Sequence, residues 1–275
     1  MALARYNNPF ANCLIVVRGG GDLASGAIFR LHKAGFPVVV LELETPLLVR
    51  RAVSFGDAVF CGTRIVQGVT ARHTSPENVH ASVESGEIAV LVDERGESLD
   101  RLRPLVVVDA RMEKRNLGTS RNDAPVVIGL GPGFEAGSDC HAVIETNRGH
   151  DLGRAIYVGC AEADTGEPGS IGSHTHTRVL RAPTDGHVIA QADIGDVVQV
   201  GNLIAKVNDQ PVIAPFTGML RGIMHERVCA AEGMKIGDLD PRVRREHCFT
   251  ISDKSLAVGG GVLEAALFLL RNVRS

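Results

Sequence analysis

The stretch Cys13-Leu14-Ile15-Val16-Val17-Arg18-Gly19-Gly20-Gly21-Asp22-Leu23-Ala24-Ser25-Gly26 decides the fold. Four apolar residues lead through Arg18 into a glycine turn, and Gly19, Gly21 and Ala24 match the dinucleotide fingerprint G-x-G-x-x-G/A. In that pattern the first glycine allows the tight turn and the second lets the backbone approach a pyrophosphate. The small third residue lets the helix lie close on the strand. Asp22 suits the positive end of the helix that follows, and Gly35 stops that helix after Lys33-Ala34. Residues 36–43 read as a second strand, which carries Glu42 and then Glu44 to the spacing of a ribose-binding acid, about 20 residues on. Strand, helix, strand and acid in order make a βαβ unit. Its glycines serve a ligand or serve packing alone. Arg18 supplies a cation for a phosphate or carboxylate, or pairs with Glu42 or Glu44.

Outward from this unit, Thr45-Pro46 breaks the second strand, and residues 47–58, with Arg50-Arg51, read as a helix. Residues 64–71 alternate like a strand, and Ser75-Pro76-Glu77 opens a short helix. The apolar runs 88–92 and 105–108 end in Asp93 and Asp109, as buried parallel strands would. A polar loop over 111–123, which includes Arg111, precedes another strand, 125–130. That strand opens a second glycine turn at Gly129, Gly131 and Gly133, where Pro132 favours an irregular loop over a second helix start. Both turns are expected to converge on one edge of a mostly parallel sheet. A short strand over 141–145 follows, and His141 and His150 are the local histidines after the second turn.

The cluster Gly166, Pro168, Gly169 and Gly172 marks a linker. The expected organisation is therefore a Rossmann-like α/β domain over 1–173 and a β-rich domain with a C-terminal helix over 174–275. Within the second part, Pro183, Gly186 and Gly201 recur 32 residues later as Pro215, Gly218 and Gly233. Two short β-rich halves of this kind resemble the barrel-sandwich fold of biotinyl and lipoyl carriers. The junction Val207-Asn208-Asp209-Gln210-Pro211 lacks the carrier's A-M-K-M, which leaves Lys206 an ordinary strand residue.

The 275 residues carry a net charge of −3 and a pI near 6.4, which excludes a basic nucleic-acid footprint. No secretory signal is read before Cys13, and the apolar stretch 256–270 is read as a buried helix, too short to cross a bilayer. The six cysteines form no C-x-x-C pair and are expected to be free thiols in the cytoplasm. His174-Thr175-His176 is a pair with no third metal ligand in view, so no metal site is assigned.

Taken together, these segments resemble the YqeB family, accessory proteins of selenium-dependent molybdenum hydroxylase systems. The resemblance rests on residues 18–26, 46–60 and 108–111, on Asn116-Leu117-Gly118-Thr119, and on 127–134, 145–146, 148–153, 178–183, 235–241 and 250–254. Its glycine turn is similar to that of XdhC-type proteins, which insert molybdenum cofactor into xanthine dehydrogenases. The resemblance implies a maturation role for a molybdenum hydroxylase client enzyme, with a dinucleotide or molybdopterin cofactor and a selenium species as ligands. It carries over no catalytic residues. Cys248, just before the 250–254 segment, is the candidate for handling selenium or sulfur, against the alternative of core packing. The competing functions are a nicotinamide- or flavin-dependent oxidoreductase and a non-catalytic scaffold, and homo-oligomerisation stays open.

Overall fold

The computed structural model describes residues 8–164 and 177–273. Its first element, β1 (Ile15–Arg18), is buried along its whole length and pairs in parallel with β2 (Val38–Glu42). The glycine turn and the first helix, Asp22–Lys33, lie between them. The sheet continues with β3 (Thr63–Val66), β4 (Val69–His73), β5 (Ile88–Val92), β6 (Val106–Asp109) and β7 (Val126–Leu130). After β8 (Glu135–Ala136) come β9 (Ala142–Ile144), β10 (Ala155–Ile156) and β11 (Gly159–Cys160), and β8 and β11 form a separate two-stranded ribbon. The nine-stranded order is β10-β9-β7-β6-β1-β2-β5-β4-β3. The run from β9 to β4 is parallel, and antiparallel β10 and β3 close its two edges. Such a sheet needs apolar residues on both faces, which Ile15 and Val17 on one side and Val16 and Val39 on the other supply.

Two segments differ from their expected form. Residues 64–71 are a hairpin, because Gln67 and Gly68 take positive φ (47° and 78°) and turn the chain between β3 and β4. Residues 47–58 form no continuous helix. They run as short 3-10 turns, Arg51–Val53 and Phe55–Asp57, before the helical turn Ala58–Cys61. Their backbone bonds outward: the Gly56 N–H donates to Gly20 O at 2.9 Å and the Phe55 N–H to Ser25 Oγ at 2.9 Å. Laying this segment on the glycine turn displaces the i−4 ladder that a helix would need.

The second lobe holds β12 (Val179–Arg181), β13 (Gly186–Ala190), β14 (Val197–Val198), β15 (Leu203–Val207), β16 (Gln210–Ile213), β17 (Gly218–Ile223), β18 (Cys229–Ala230) and β19 (Lys235–Asp240). They make two antiparallel four-stranded sheets, β12-β19-β17-β14 and β16-β15-β13-β18, around a core that includes Val188, Ile204, Leu220 and Ile236. A shift of 32 residues carries each strand of the first half onto its counterpart in the second, and so exchanges the two sheets. Gly201 and Gly233, related by that shift, both take positive φ (85° and 77°). The expected linker at 166–172 and the His174–His176 pair lie outside the described residues.

The C-terminal helix, Asp253–Val273, which the sequence assigns to this lobe, packs instead into the core of the large sheet through Val258, Val262, Ala265, Ala266 and Leu270. At 21 residues it is longer than the apolar stretch implies, and by length and composition it could cross a membrane. Its glycines explain its place instead. A Cβ on Gly259 would stand 2.3 Å from Gly26 O, and one on Gly261 would stand 2.0 Å from Gly153 O. This helix and the first one therefore meet backbone to backbone.

Candidate functional site

Strand order reverses between β1 and β6, since β2 leaves β1 on one side and β6 returns on the other. In open α/β sheets, ligands occupy the crevice at such a point, outside the carboxyl ends of the strands. The three glycines that end β1 serve three different purposes. Gly19 turns the chain at φ 91°, and a Cβ there would press on the Ala110 and Arg111 backbone at 3.1–3.2 Å. Gly20 is bound by packing: a Cβ there would stand 2.6 Å from Gly56 N, and the Gly20 N–H donates to Glu42 Oε1 at 2.7 Å. Gly21 caps the first helix at an ordinary φ of −69°, and no side chain satisfies that helix end. A Cβ on Gly21 would meet only Leu48 Cδ2, at 3.6 Å. Ala24, the small third residue of the fingerprint, is 1% exposed beneath the turn.

A cleft of about 820 Å³ opens over this turn. It is lined by Arg18, Gly19, Gly21, Asp22, Ala24, Glu42 and Arg111 among the residues singled out in the sequence. Leu47, Leu48, Val49 and Arg50 form one wall, and Lys235 reaches in from the second lobe. Arg18 pairs with neither Glu42 nor Glu44. Its guanidinium donates to Thr119 Oγ1 at 3.0 Å and to Arg95 O at 3.2 Å. Arg111 instead forks onto Asp109, at 3.1 and 2.5 Å, and Thr119 Oγ1 donates to the same carboxylate at 2.6 Å. Burial pushes the Asp109 carboxyl up, but these bonds outweigh it and hold it below the usual carboxylate range. At the carboxyl ends of β1 and β6, Arg111 thus holds Asp109 directly and Arg18 reaches the same carboxylate only through Thr119 Oγ1. Burial, and then the Arg111 charge, pull the Arg18 guanidinium below its ordinary value.

Glu42 does not stand free for a ribose. It is 7% exposed, and its two oxygens accept the N–H groups of Gly20 and Leu43 at 2.7 and 2.9 Å. Burial pushes its carboxyl up against the pull of those two donors. Glu44 is exposed and lies outside the cleft lining. Asp22, the first helical residue, accepts from Arg50 Nη1 at 2.7 Å and from Ser255 Oγ at 3.0 Å.

The second glycine turn lies beside the cleft rather than in it. The glycines there make room for neighbours: a Cβ on Gly129 would strike Phe134 Cγ at 2.5 Å, and one on Gly131 would strike Thr146 Oγ1 at 2.5 Å. On Gly133 it would reach Arg115 Cα at 2.6 Å. Pro132 lines a separate cavity of about 140 Å³, and Met112 borders both spaces. The two turns share an edge of the sheet without converging.

Cys248 is also outside the cleft. It is 1% exposed, its Sγ lies 3.7 Å from Leu220 O, and burial raises its thiol pKa, so it packs rather than presents a thiolate. His141 is spent at the start of the β7–β9 pairing, where Nδ1 accepts the Val127 N–H at 2.9 Å, and His150 is exposed. Among the described residues no group of three or more histidine, cysteine or acidic side chains could hold a metal ion. Sequence reasoning missed Thr119, Ser255 and Lys235 as parts of the site and gave Arg50 no role. The signal for Arg50 and Lys235 was a charged residue inside a segment shared with the family-like pattern.

No family model matches the chain. It is 49% identical over 269 residues, 98% of its length, to an uncharacterized protein of Escherichia coli K12, YqeB. That relation supports the YqeB resemblance read from the segments above. The chain spans about half the length of this curated relative. Two solved structures align at TM-scores too low to bear on fold or function. One is an aspartoacylase family protein of Mesorhizobium loti (TM-score 0.27, 10% identity, 82% of this chain and 84% of that one). The other is TcdA (CsdL) (TM-score 0.29, 12% identity, 97% and 90%).

Proposed function

We propose that the chain is a cytoplasmic accessory protein that binds a dinucleotide-bearing cofactor of the molybdopterin type in the cleft over Gly21 and serves the maturation of a molybdenum hydroxylase client. The observation that carries the binding part is the open approach at Gly21. Beside it lies an uncapped helix N-terminus, the arrangement in which backbone N–H groups and the helix dipole receive a phosphate. The cleft is of the size that small-molecule sites occupy, roughly 300–1,000 Å³, and Arg18, Arg50, Arg111 and Lys235 bring cations to it. The client and the molybdenum chemistry rest on the YqeB resemblance. A selenium role finds no support from Cys248, whose thiol is buried. The exchange of sheets under a 32-residue shift supports a carrier-like barrel-sandwich for the second lobe. Lys206, within β15, pairs in register with Pro211, which supports reading that lobe as a docking unit without the carrier's modified lysine.

Gly21→Val tests the site. The space beside Gly21 and its ordinary φ admit a Cβ without a clash, so the variant is expected to fold, as circular dichroism would verify. Isothermal titration with nicotinamide, flavin and molybdopterin dinucleotides is expected to show binding to the native chain and none to the variant. Equal binding by both would remove the ligand from this turn and leave the scaffold function standing. Preference for a nicotinamide dinucleotide over the pterin would favour the oxidoreductase.

A further inference from the structure

We infer that Lys235, which the second lobe delivers to the cleft, is a specificity-determining contact for a further anionic group of the ligand, so that the ligand bridges both lobes. This rests on the nucleotide-binding proposal above and adds the part of the ligand that the glycine turn does not reach. Lys235 opens β19 and is held in register opposite Arg181 of β12. Gly237, two residues on, packs against Leu180 Cδ1 and Gly222 O. Gly222 in turn abuts Val49 O, and Arg51 Nε donates to Ile223 O at 2.8 Å. The sheet that carries Lys235 is thus fixed to the segment that walls the cleft.

The carboxylates around Lys235 are already engaged. Asp22 receives Arg50 at 2.7 Å, Asp238 receives Arg178 at 2.5 Å, and Asp240 receives Arg242 at 2.6 Å. Arg221 stands 3.8 Å from both Asp238 and Asp240. Five cations, Arg50, Arg178, Arg221, Arg242 and Lys235, therefore face four acids, Asp22, Asp238, Asp240 and Asp253, the last of which is also held by Arg148. Among the described residues the Lys235 ammonium makes no ion pair within 4 Å and no side-chain hydrogen bond, although it is accessible from the cleft. Lys235 is solvent-exposed on the cleft side, and partial desolvation by the protein around its ammonium pushes it below the usual lysine range despite the pull of Asp238. An arriving phosphate or carboxylate would relieve both the positive excess and the missing partner. A neutral group would relieve neither. The ligand class that follows is one with an anion beyond the pyrophosphate-binding turn, such as a terminal phosphate or a phosphorylated pterin.

The test uses the full chain, with Lys235→Met, Lys235→Arg and Gly21→Val. Affinities are measured by titration calorimetry for nicotinamide, flavin and molybdopterin dinucleotides, guanosine diphosphate and inorganic pyrophosphate. Loss of one charge-assisted contact is expected to weaken the best-bound probe about tenfold in Lys235→Met, with Lys235→Arg closer to the native value and a shallower salt dependence in Lys235→Met. Melting temperatures check that each variant folds, which a partnerless lysine at a cleft wall should permit. If Gly21→Val abolishes binding while Lys235→Met binds like the native chain, this inference fails and the nucleotide site stands. If the native chain binds none of the probes, the nucleotide-binding proposal fails and takes the inference with it.

Discussion

Replacing Gly26 with alanine tests the docking of the C-terminal helix, on which the site depends. In an exposed helix this change would stabilise by about 1 kcal/mol through helix propensity. Here the added methyl would stand 1.9 Å from Ser255 O and 2.3 Å from Ser255 C. Both are backbone atoms, so no rotamer change relieves the contact and the two helices must part by more than an ångström. Overpacking commonly costs about 1–3 kcal/mol, and more where backbone must move. Parting the helices also loosens Val258, Val262 and Ala265, which are fully buried. Because backbone must move, the cost falls at or above the top of that range, about 3–5 kcal/mol. Less the propensity gain of about 1 kcal/mol, the net loss is about 2–4 kcal/mol, or roughly 4–16 °C in Tm for a domain of this size.

The control lies in the same helix: a Cβ on Gly260 would meet nothing within 4 Å. Gly260→Ala is therefore expected to match or exceed the native stability, by up to about 1 kcal/mol, while Gly259→Ala should fall with Gly26→Ala. Denaturant unfolding followed by far-UV circular dichroism measures all three. Should Gly26→Ala and Gly259→Ala prove as stable as Gly260→Ala, the helices do not meet at these glycines and the backbone-to-backbone packing of the core is wrong.

Two further outcomes follow from charge and burial. Burial raises the Asp240 carboxyl, but the Arg242 fork outweighs it and holds its pKa at about 2. A depressed carboxyl stabilises above its unfolded value of 3.8, and the gain is lost as pH falls through about 2. Native stability over Asp240→Asn should thus be about 2 kcal/mol at neutral pH and shrink between pH 4 and 2, whereas a pH-independent difference would refute the linkage. Of the six cysteines, Cys61, Cys160 and Cys229 are exposed and Cys13, Cys140 and Cys248 buried. A disulfide-exchange reagent should therefore titrate three thiols rapidly in the folded chain, and rapid labelling of Cys248 would restore it as a reactive group.

The parts of the fold legible in sequence were those set by local rules. An apolar run ending in a glycine turn, with a helix and a second apolar run behind it, has few other packed arrangements, and β1, the first helix and β2 appear as the pattern required. The 32-residue recurrence was visible because both halves need the same turn residues. What failed was set by distant partners. Residues 47–58 have composition compatible with a helix, yet their N–H groups find Gly20 O and Ser25 Oγ, contacts that no local pattern encodes. Glycine at 129, 131 and 133 looked like ligand approach because a glycine that makes room for Phe134 or Thr146 reads the same in sequence as one that makes room for phosphate. Only the atoms facing the missing Cβ distinguish the two, and by that criterion Gly21 is the open one.

The same non-local bonding governs what a ligand would feel. Arg50 joins three separate parts of the chain: Nη1 holds Asp22 at the start of the first helix, and Nη2 donates to the carbonyls of His247 at 2.9 Å and Thr250 at 3.4 Å. Ser255, on the C-terminal helix, donates to the other oxygen of Asp22. The residue next to Gly21 is therefore positioned by the wall segment, by the exit from the second lobe and by the C-terminal helix at once. Arg50 is 7% exposed, so its hydrogen bonds are sheltered from competing water and count for more than surface ion pairs. A phosphate at Gly21 would add negative charge beside Asp22 and draw on the same guanidinium. Under the proposed function, occupation of the glycine turn and the seating of the second lobe would draw on one shared network, so Arg50 is where a ligand and the second lobe would meet.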